Sequence, residues 1–497
     1  MRKWLIKGLI LLQLSFAVAS SQSQELYLDP PAIDVFPNHD AVVSGTTPLS
    51  VFLADGKRLF RTVFNARDGV GRPEATGDSK PTLRDAPALE FHRIAGPDAS
   101  SCADCHNVPM IGGSGGMSAN VFVGAHFTDP PTNQVSSSIT SERNTIGMFG
   151  AGAIEMLAFE MTEELQRIKN QALIDAVRQN TEIKVRLVTK QTDFGYLIAY
   201  PDGTYDSSGV RGVDADLVIK PFGTKGVGVS LREFTNFALN QHHGIQSEER
   251  FGWARTGITD FDHDGIANEF SIGQMSALVL YQASLPAPVR ESYTDPAVQQ
   301  QVRLGEELFR SVGCSDCHVP DMPLRSAWFL EPNPYNRPGS AVPSDVAGQI
   351  MLPFDTSPNT GLYRDEEGMV HVAAYTDLKR HVICDAEDPF FCNERRMQDF
   401  VPIDQFLTSK LWDVGSSAPY GHRGDLTTIA EVIYHHSGEG RAAKIAFTKL
   451  SKAEKQAIII FLKSLVIKET PSQFVDAPSR APREGGSAHV LIPTNPN

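Results

Sequence analysis

Two pentapeptides of one pattern, Cys102-Ala103-Asp104-Cys105-His106 and Cys314-Ser315-Asp316-Cys317-His318, constrain this chain more than anything else in it. Cys-x-x-Cys-His is the arrangement that attaches a c-type haem. The two thiols add across the haem vinyl groups, and the adjacent imidazole binds iron from one side. Zinc ribbons are the competing reading, since they are also built from Cys-x-x-Cys pairs. These two pairs are far too distant in sequence for a ribbon, and both carry the extra histidine. The motifs predict two covalently bound haem c groups, with Cys102, Cys105, Cys314 and Cys317 as attachment points. His106 and His318 are the iron ligands on the near side.

The N-terminus agrees with this chemistry. Arg2, Lys3 and Lys7 precede the apolar run Leu9 to Val18, which ends at Ala17-Val18-Ala19. A basic head, a short apolar core and a small-x-small site describe a secretory signal over residues 1–19. A retained N-terminal anchor is the alternative. No later stretch reaches about 18 uninterrupted apolar residues, so no transmembrane segment is expected in the mature chain. The expected location is periplasmic or secreted, where haem attachment takes place. Cys384 and Cys392, the two cysteines left over, lie eight positions apart, and in an oxidising compartment a disulfide is the default, with a redox-active pair as the other reading. The formal charge of −14 disfavours nucleic acid and anionic lipid as partners and suits a basic electron-transfer protein.

The fold class expected is mainly α, with two cytochrome c-like haem domains, long loops and a small β insertion in the first. Gly305-Glu306-Glu307-Leu308-Phe309 precedes the second motif, in a segment that Thr294 or Asp295 can cap and that starts at Pro296. Gly56-Lys57-Arg58-Leu59-Phe60 repeats the Gly-x-x-Leu-Phe pattern ahead of the first. In a cytochrome c unit this helix packs on a C-terminal helix, and glycine lets the backbones approach. The second unit's C-terminal helix starts at the capping box Ser451-Lys452-Ala453-Glu454. Phe309 lies five residues before Cys314 but Phe60 lies 42 before Cys102, so the first unit carries a long insertion over 67–97. Val185 to Val188 and Tyr196 to Tyr200 read as strands, with a turn at Pro201-Asp202-Gly203. The expected division is 20–270 for the first domain, 271–470 for the second, and a disordered tail over 471–497.

Near that junction, Asp260, Asp262 and Asp264 followed by Gly265 match positions 1, 3, 5 and 6 of an EF-hand loop. Glu269 falls at position 10 rather than 12, a shortened form. The expected ligands of a structural Ca²⁺ are the carboxylates of Asp260, Asp262, Asp264 and Glu269 and the carbonyl of Ile266. A solvated acidic turn is the alternative.

Ala418-Pro419-Tyr420-Gly421-His422-Arg423-Gly424, leading through Thr427 and Thr428 to His435-His436-Ser437-Gly438-Glu439, resembles a segment of the bacterial dihaem cytochrome c peroxidase superfamily. Its closest likeness is to the dihaem oxidoreductase, thiol-oxidoreductase-like, branch. The resemblance implies that the group fourteen residues after His422, His436, is the far-side ligand of the second haem, with His435 as alternate. Peroxidases typically place Met there. Arg143-Asn144-Thr145 and Phe149-Gly150-Ala151-Gly152-Ala153-Ile154-Glu155 also resemble that branch, although Ile146 replaces a usual Pro. There Glu155 stands for the carboxylate that takes a proton from bound peroxide and returns it to the leaving oxygen. A helix-start glutamate is the bland alternative. Asn240-Gln241-His242-His243-Gly244 implies His243 as the sixth ligand of the first haem, with His242 as alternate and His126 a weaker one. His381 stands where the family often has a Leu-His-Asp-Met-Gly stretch, and reads as a ligand or a structural residue.

What lies beyond each iron separates the functions. An open face supports peroxidase-type chemistry, with a small redox protein or quinol-linked donor and a small oxidant such as peroxide as partners. Two filled faces support a pure electron-transfer cytochrome. A dihaem oxygenase acting on an organic substrate is a third reading.

Overall fold

The computed structural model describes residues 30–71, 98–124, 140–357 and 360–468. The signal over 1–19, most of the 67–97 insertion, His126 and the 471–497 tail lie outside the described residues.

Helix content outweighs strand. The seven helices that position the site are α1 (Leu49–Arg61), α2 (Ala151–Gln179), α3 (Leu231–Ala238), α4 (Ile272–Ala283), α5 (Pro296–Ser311), α6 (Ile429–His435) and α7 (Lys452–Lys463). α5 starts where the sequence says: the Asp295 carboxylate accepts from Ala297 N at 2.8 Å, and Pro296 spends no backbone donor. The box at α7 closes in both directions, Ser451 N donating to Glu454 Oε2 at 2.8 Å and Glu454 N to Ser451 Oγ at 3.3 Å.

Two helix pairs repeat one geometry. α1 lies on α4 through Gly56, whose missing Cβ would stand 2.0 Å from Ala277 O. α5 lies on α7 through Gly305, where a Cβ would stand 2.0 Å from Ala457 O. Each pair then sets an aromatic ring inward. Phe60 meets Tyr281 with ring centres 5.3 Å apart, and Phe309 meets Phe461 at 5.5 Å. The internal duplication is thus carried by glycine contacts and aromatic pairs. It also moves the expected boundary. A division at 270/271 falls just before α4, and α4 packs on α1 through Gly56 and the Phe60–Tyr281 pair, as a C-terminal helix of the first unit would.

The halves are not separate bodies of packing. The first core includes Met322, Leu324, Phe329, Ile350, Leu352 and Leu362 from the second half. They lie on short strands: 328–331 pairs with 350–353, and 370–372 runs between 322–324 and 362–364. The second core is smaller, around Val302, Phe309, Phe447, Ile458, Phe461 and Leu462. The β insertion forms as expected, with Ile183–Thr189, Thr192–Ala199 and Tyr205–Asp206 in one antiparallel sheet. Its hairpin turns on Lys190 and Gln191, both at positive φ (43° and 69°). Among the described residues, no helix is long and apolar enough to cross a membrane.

Candidate haem centres

Cys102 and Cys105 sit on a single helical turn whose Ser101 and Asp104 form a capping box, and His106 closes it. Cys314 to Asp316 form the corresponding turn before Cys317 and His318. Phe60 lies against His106 with ring centres 6.2 Å apart, and Phe309 against His318 at 6.3 Å. The α1/α4 and α5/α7 pairs therefore wall the same side of the two motifs in the same way.

His106 donates from Nδ1 to Gly113 O at 3.3 Å, and His318 from Nδ1 to Tyr375 O at 3.1 Å, since a carbonyl can only accept. That hydrogen bond fixes the tautomer and leaves the Nε2 lone pair for a metal. Burial pushes both rings down to about 4, so they stay neutral and able to bind at physiological pH. Burial likewise pushes the Cys102 and Cys314 thiols up to about 12. Among the described residues, the groups whose ligand atoms converge as a metal site would are Cys317 with Asp377 and His381, and Asp260 with Asp262 and Asp264. Neither is a zinc ribbon.

His436 lies across from His318, ring centres 6.5 Å apart. Two imidazoles on one iron need about 6 Å: two metal–nitrogen bonds of about 2 Å and roughly 1 Å from each nitrogen to its ring centre. His436 is oriented like the others, Nδ1 donating to Val432 O at 2.7 Å, and burial lowers its pKa. His435, the alternate, instead stacks on Phe390 at 4.0 Å and faces Asp388.

At the first motif the chain presents His243 from a π turn, Leu239–His243, that extends α3 and ends at Gly244 (φ 73°). His243 is buried, donates from Nδ1 to Ala99 O at 2.8 Å, and meets Phe64 edge-on at 5.2 Å. Its pKa also falls to about 4 through burial. Gly71 N and Asp98 N bind the carbonyls of His243 and His242, so the turn is held by the segments flanking the first motif. His242 points to Asp98, 3.1 Å away.

Other expected residues sit elsewhere. His381 is held between carboxylates: Nε2 meets Asp377 and Nδ1 meets Glu439, each at 2.8 Å. Although burial opposes it, bonds to Asp377 and Cys317 hold its pKa up at about 11. Glu155 is fully buried, with Oε2 accepting from Leu231 N at 2.8 Å and Oε1 from Asn333 Nδ2 at 2.9 Å. Burial raises its carboxyl to about 8. It thus caps the start of α3, the end opposite His243. Asp260, Asp262 and Asp264 converge around Gly265 (φ 96°), and burial, helped by Asp260, raises Asp264. Ile266 N donates to Asp264 at 2.7 Å. Glu269 lies outside that cluster. Its Oε2 accepts from Gln246 N at 2.6 Å, three residues past His243, because its side chain lies on Gly69 instead.

Sequence reasoning missed what surrounds the second far-side ligand. Cys384 and Cys392 are bonded, and the loop between them touches the His436 segment at several points. It also missed a buried cluster joining the halves. Arg143 and Lys225 face Glu394 at 2.5 and 3.3 Å, with His422 beside them. Isolated charges among polar residues gave no signal of that contact.

No family model matches the chain. Over 196 residues it is 35% identical to cytochrome-c peroxidase IdrP2 of Pseudomonas sp. (strain SCT), covering 38% of this chain and 46% of that protein. It is 29% identical over 115 residues to cytochrome-c peroxidase IdrP2 of Denitromonas iodatirespirans, covering 22% and 31%. The matched regions span less than half the length of either relative. Among solved structures, a MauG-like protein associated with microbial copper homeostasis is similar at 16% identity and a TM-score of 0.26, over 51% of this chain and 70% of that one. Hydrazine synthase of Kuenenia stuttgartiensis is similar at 15% and 0.23, over 41% and 59%. The sequence likenesses are to cytochrome-c peroxidases over part of the chain, and they single out no branch.

Proposed function

We propose that this chain is a periplasmic or secreted dihaem c-type cytochrome that works as a peroxidase-like oxidoreductase. The likeness to cytochrome-c peroxidases supports the reaction class, and the segment ending at Glu155 favours the dihaem oxidoreductase branch. The observation that carries the cofactor reading is the His318–His436 pair, 6.5 Å between ring centres and both rings oriented through Nδ1. Haem c, when bound, supplies one-electron redox chemistry at each motif. Cys102, Cys105, Cys314 and Cys317 would hold it covalently. His106 and His318 would bind from one side; His243 and His436 are the candidates for the other, and in this reading one of those two positions opens to peroxide.

The proposed net reaction is H₂O₂ + 2 e⁻ + 2 H⁺ → 2 H₂O, with electrons from a small basic redox protein or a quinol-linked donor. Glu155, which burial keeps protonated near neutral pH, is the proposed proton carrier. Asp260, Asp262 and Asp264 are the proposed Ca²⁺ carboxylates. The exit of that loop is bonded to the His243 segment, Glu248 N donating to Phe270 O at 2.8 Å, so the ion would steady the first centre.

A second reading, pure electron transfer with both haems six-coordinate, is favoured by one observation: each motif has an Nδ1-anchored histidine beyond it, His243 buried and His436 half-buried. EPR of the oxidised protein before and after peroxide separates the two. Peroxidase-type chemistry requires a high-spin signal that peroxide consumes. Two low-spin signals indifferent to peroxide would leave electron transfer as the function.

A further inference from the structure

The loop closed by Cys384 and Cys392 is built around the segment that follows His436. Ser437 N donates to Ile383 O at 3.0 Å. The carboxylate of Asp385, next to Cys384, accepts from Ser437 Oγ at 2.6 Å, Gly438 N at 2.8 Å and Arg441 Nε at 2.9 Å. Gly438 (φ 53°) lies so close that a Cβ there would stand 2.4 Å from Val382 O and 3.1 Å from Cys384 O. From the same loop, Phe391 meets the His436 ring edge-on at 6.1 Å, and Phe390 stacks on His435. Backbone, carboxylate and rings on one side of the second centre thus come from residues 382–391.

The Asp385–Arg441 part of this clasp is wet. Asp385 and Arg441 keep 30% and 31% of their side chains exposed, and Glu387, the other partner of Arg441, keeps 80%. Ion pairs in water constrain geometry weakly. The disulfide is the covalent constraint on the loop. Cys384 is buried, whereas Cys392 is half-buried and precedes the exposed Asn393, which makes Cys392 the more open end of the bond.

We propose that Cys384–Cys392 is a thiol-exchange site that holds His436 in place, and that reduction by a dithiol donor frees that axial position. A donor thiolate attacks Cys392 Sγ, the S–S bond breaks, and Cys384 leaves as a thiolate that takes a proton. The donor's second thiol then resolves the mixed disulfide. Two electrons and two protons pass to Cys384 and Cys392, and the donor ends as a disulfide. The released loop no longer clamps Ser437-Gly438, and His436 withdraws.

This inference rests on His436 being the far-side ligand, so the experiment tests that separately. Holoprotein is treated with a phosphine reductant, its new thiols are trapped with iodoacetamide, and its irons are returned to the ferric state with ferricyanide. Alkylation at Cys384 and Cys392 is verified by mass, and EPR counts high-spin haem. The expected result is one more high-spin haem per chain than in untreated protein. Omitting the trap and restoring the bond with oxidised glutathione should return that haem to low spin. The variant Cys384→Ser with Cys392→Ser should match the trapped protein, and the trapped wild type decides the matter if that variant does not fold. In parallel, His436→Ala should give a high-spin second haem. If it does, while the trapped protein keeps an unchanged spectrum, the exchange proposal is overturned. If His436→Ala itself changes nothing, the ligand reading has failed instead.

Discussion

Four imidazoles share one bonding habit: His106, His243, His318 and His436 each donate from Nδ1 to a main-chain carbonyl. The histidines beside the two far-side ones do not. His242 and His435 face Asp98 and Asp388 and keep side-chain exposures of 16% and 34%. A carbonyl on Nδ1 holds each of the four rings with Nε2 turned away from it, whereas His242 and His435 lie against carboxylates at more exposed positions. His243→Ala should therefore convert one low-spin haem to high spin, and His242→Ala should leave the EPR spectrum as it was. The reverse outcome would exchange their roles. Glu155 yields a pH prediction. Its folded-state carboxyl, near 8, lies above the ordinary carboxylate range, so the folded protein holds a proton that the unfolded chain releases. Its contribution to stability is complete below about 4.5 and is lost as pH rises through 8. Glu155→Gln, which cannot ionise, should lose less stability than the wild type between pH 5 and 9, by up to a few kcal/mol. Urea titrations at three pH values measure it. Parallel curves for the two proteins would mean that Glu155 ionises freely in the fold.

At the scale of elements, the two glycine contacts are the most exacting joints. A Cβ at Gly56 or Gly305 would need its helix to move away from a carbonyl oxygen on the facing helix, and overpacking of this kind costs about 1–3 kcal/mol, at times more. Gly56→Ala and Gly305→Ala should each lower the thermal midpoint by several degrees, and each should disturb the absorption of its own haem. Midpoints within a degree of wild type would show that neither contact is tight. These joints were legible because they combine a repeated pattern, Gly-x-x-Leu-Phe, with ordinary caps at Asp295 and Ser451. The hairpin over 183–199 was legible too, through runs of β-branched and aromatic residues. The strands 322–324, 328–331 and 350–353 were not. Each is three or four residues long, one contains Pro323 and another ends at Pro353, and only packing on the first core makes them strands. The π turn that delivers His243 left no periodic signal either, and the resemblance alone pointed there. In the acidic loop the three aspartates converge as their spacing implies. Glu269 does not join them, since a residue count cannot reveal the space that Gly69 leaves open.

At the scale of the molecule, the two units are duplicated in their helix pairs but fused in everything else. Lys225 of the first half is fully buried and donates to three carbonyls of the second, Pro402 at 3.0 Å, Ile403 at 2.8 Å and Gln405 at 2.8 Å. It also faces Glu394 and lies 3.6 Å from the centre of the Phe406 ring. Arg143 approaches the same carboxylate from the first half, so one buried anion ties two first-half cations to the second half. Burial pulls Lys225 down to about 8, yet it still carries its charge at neutral pH, and the lysine and its partners offset each other's desolvation. Lys225→Met would keep the volume and remove that balance. It would leave three buried carbonyls without their donor, and breaking a buried pair costs about 3–5 kcal/mol. Because side chains of the second half, from Met322 to Ile467, also complete the first core, this loss should not open the interface alone. The expected outcome is a single unfolding transition at a lower midpoint, with the absorption of both haems changing together. Calorimetry and haem absorbance recorded on the same sample test it. Two separated transitions, each tied to one haem, would mean that the units fold independently and that the shared core is only a contact between finished domains.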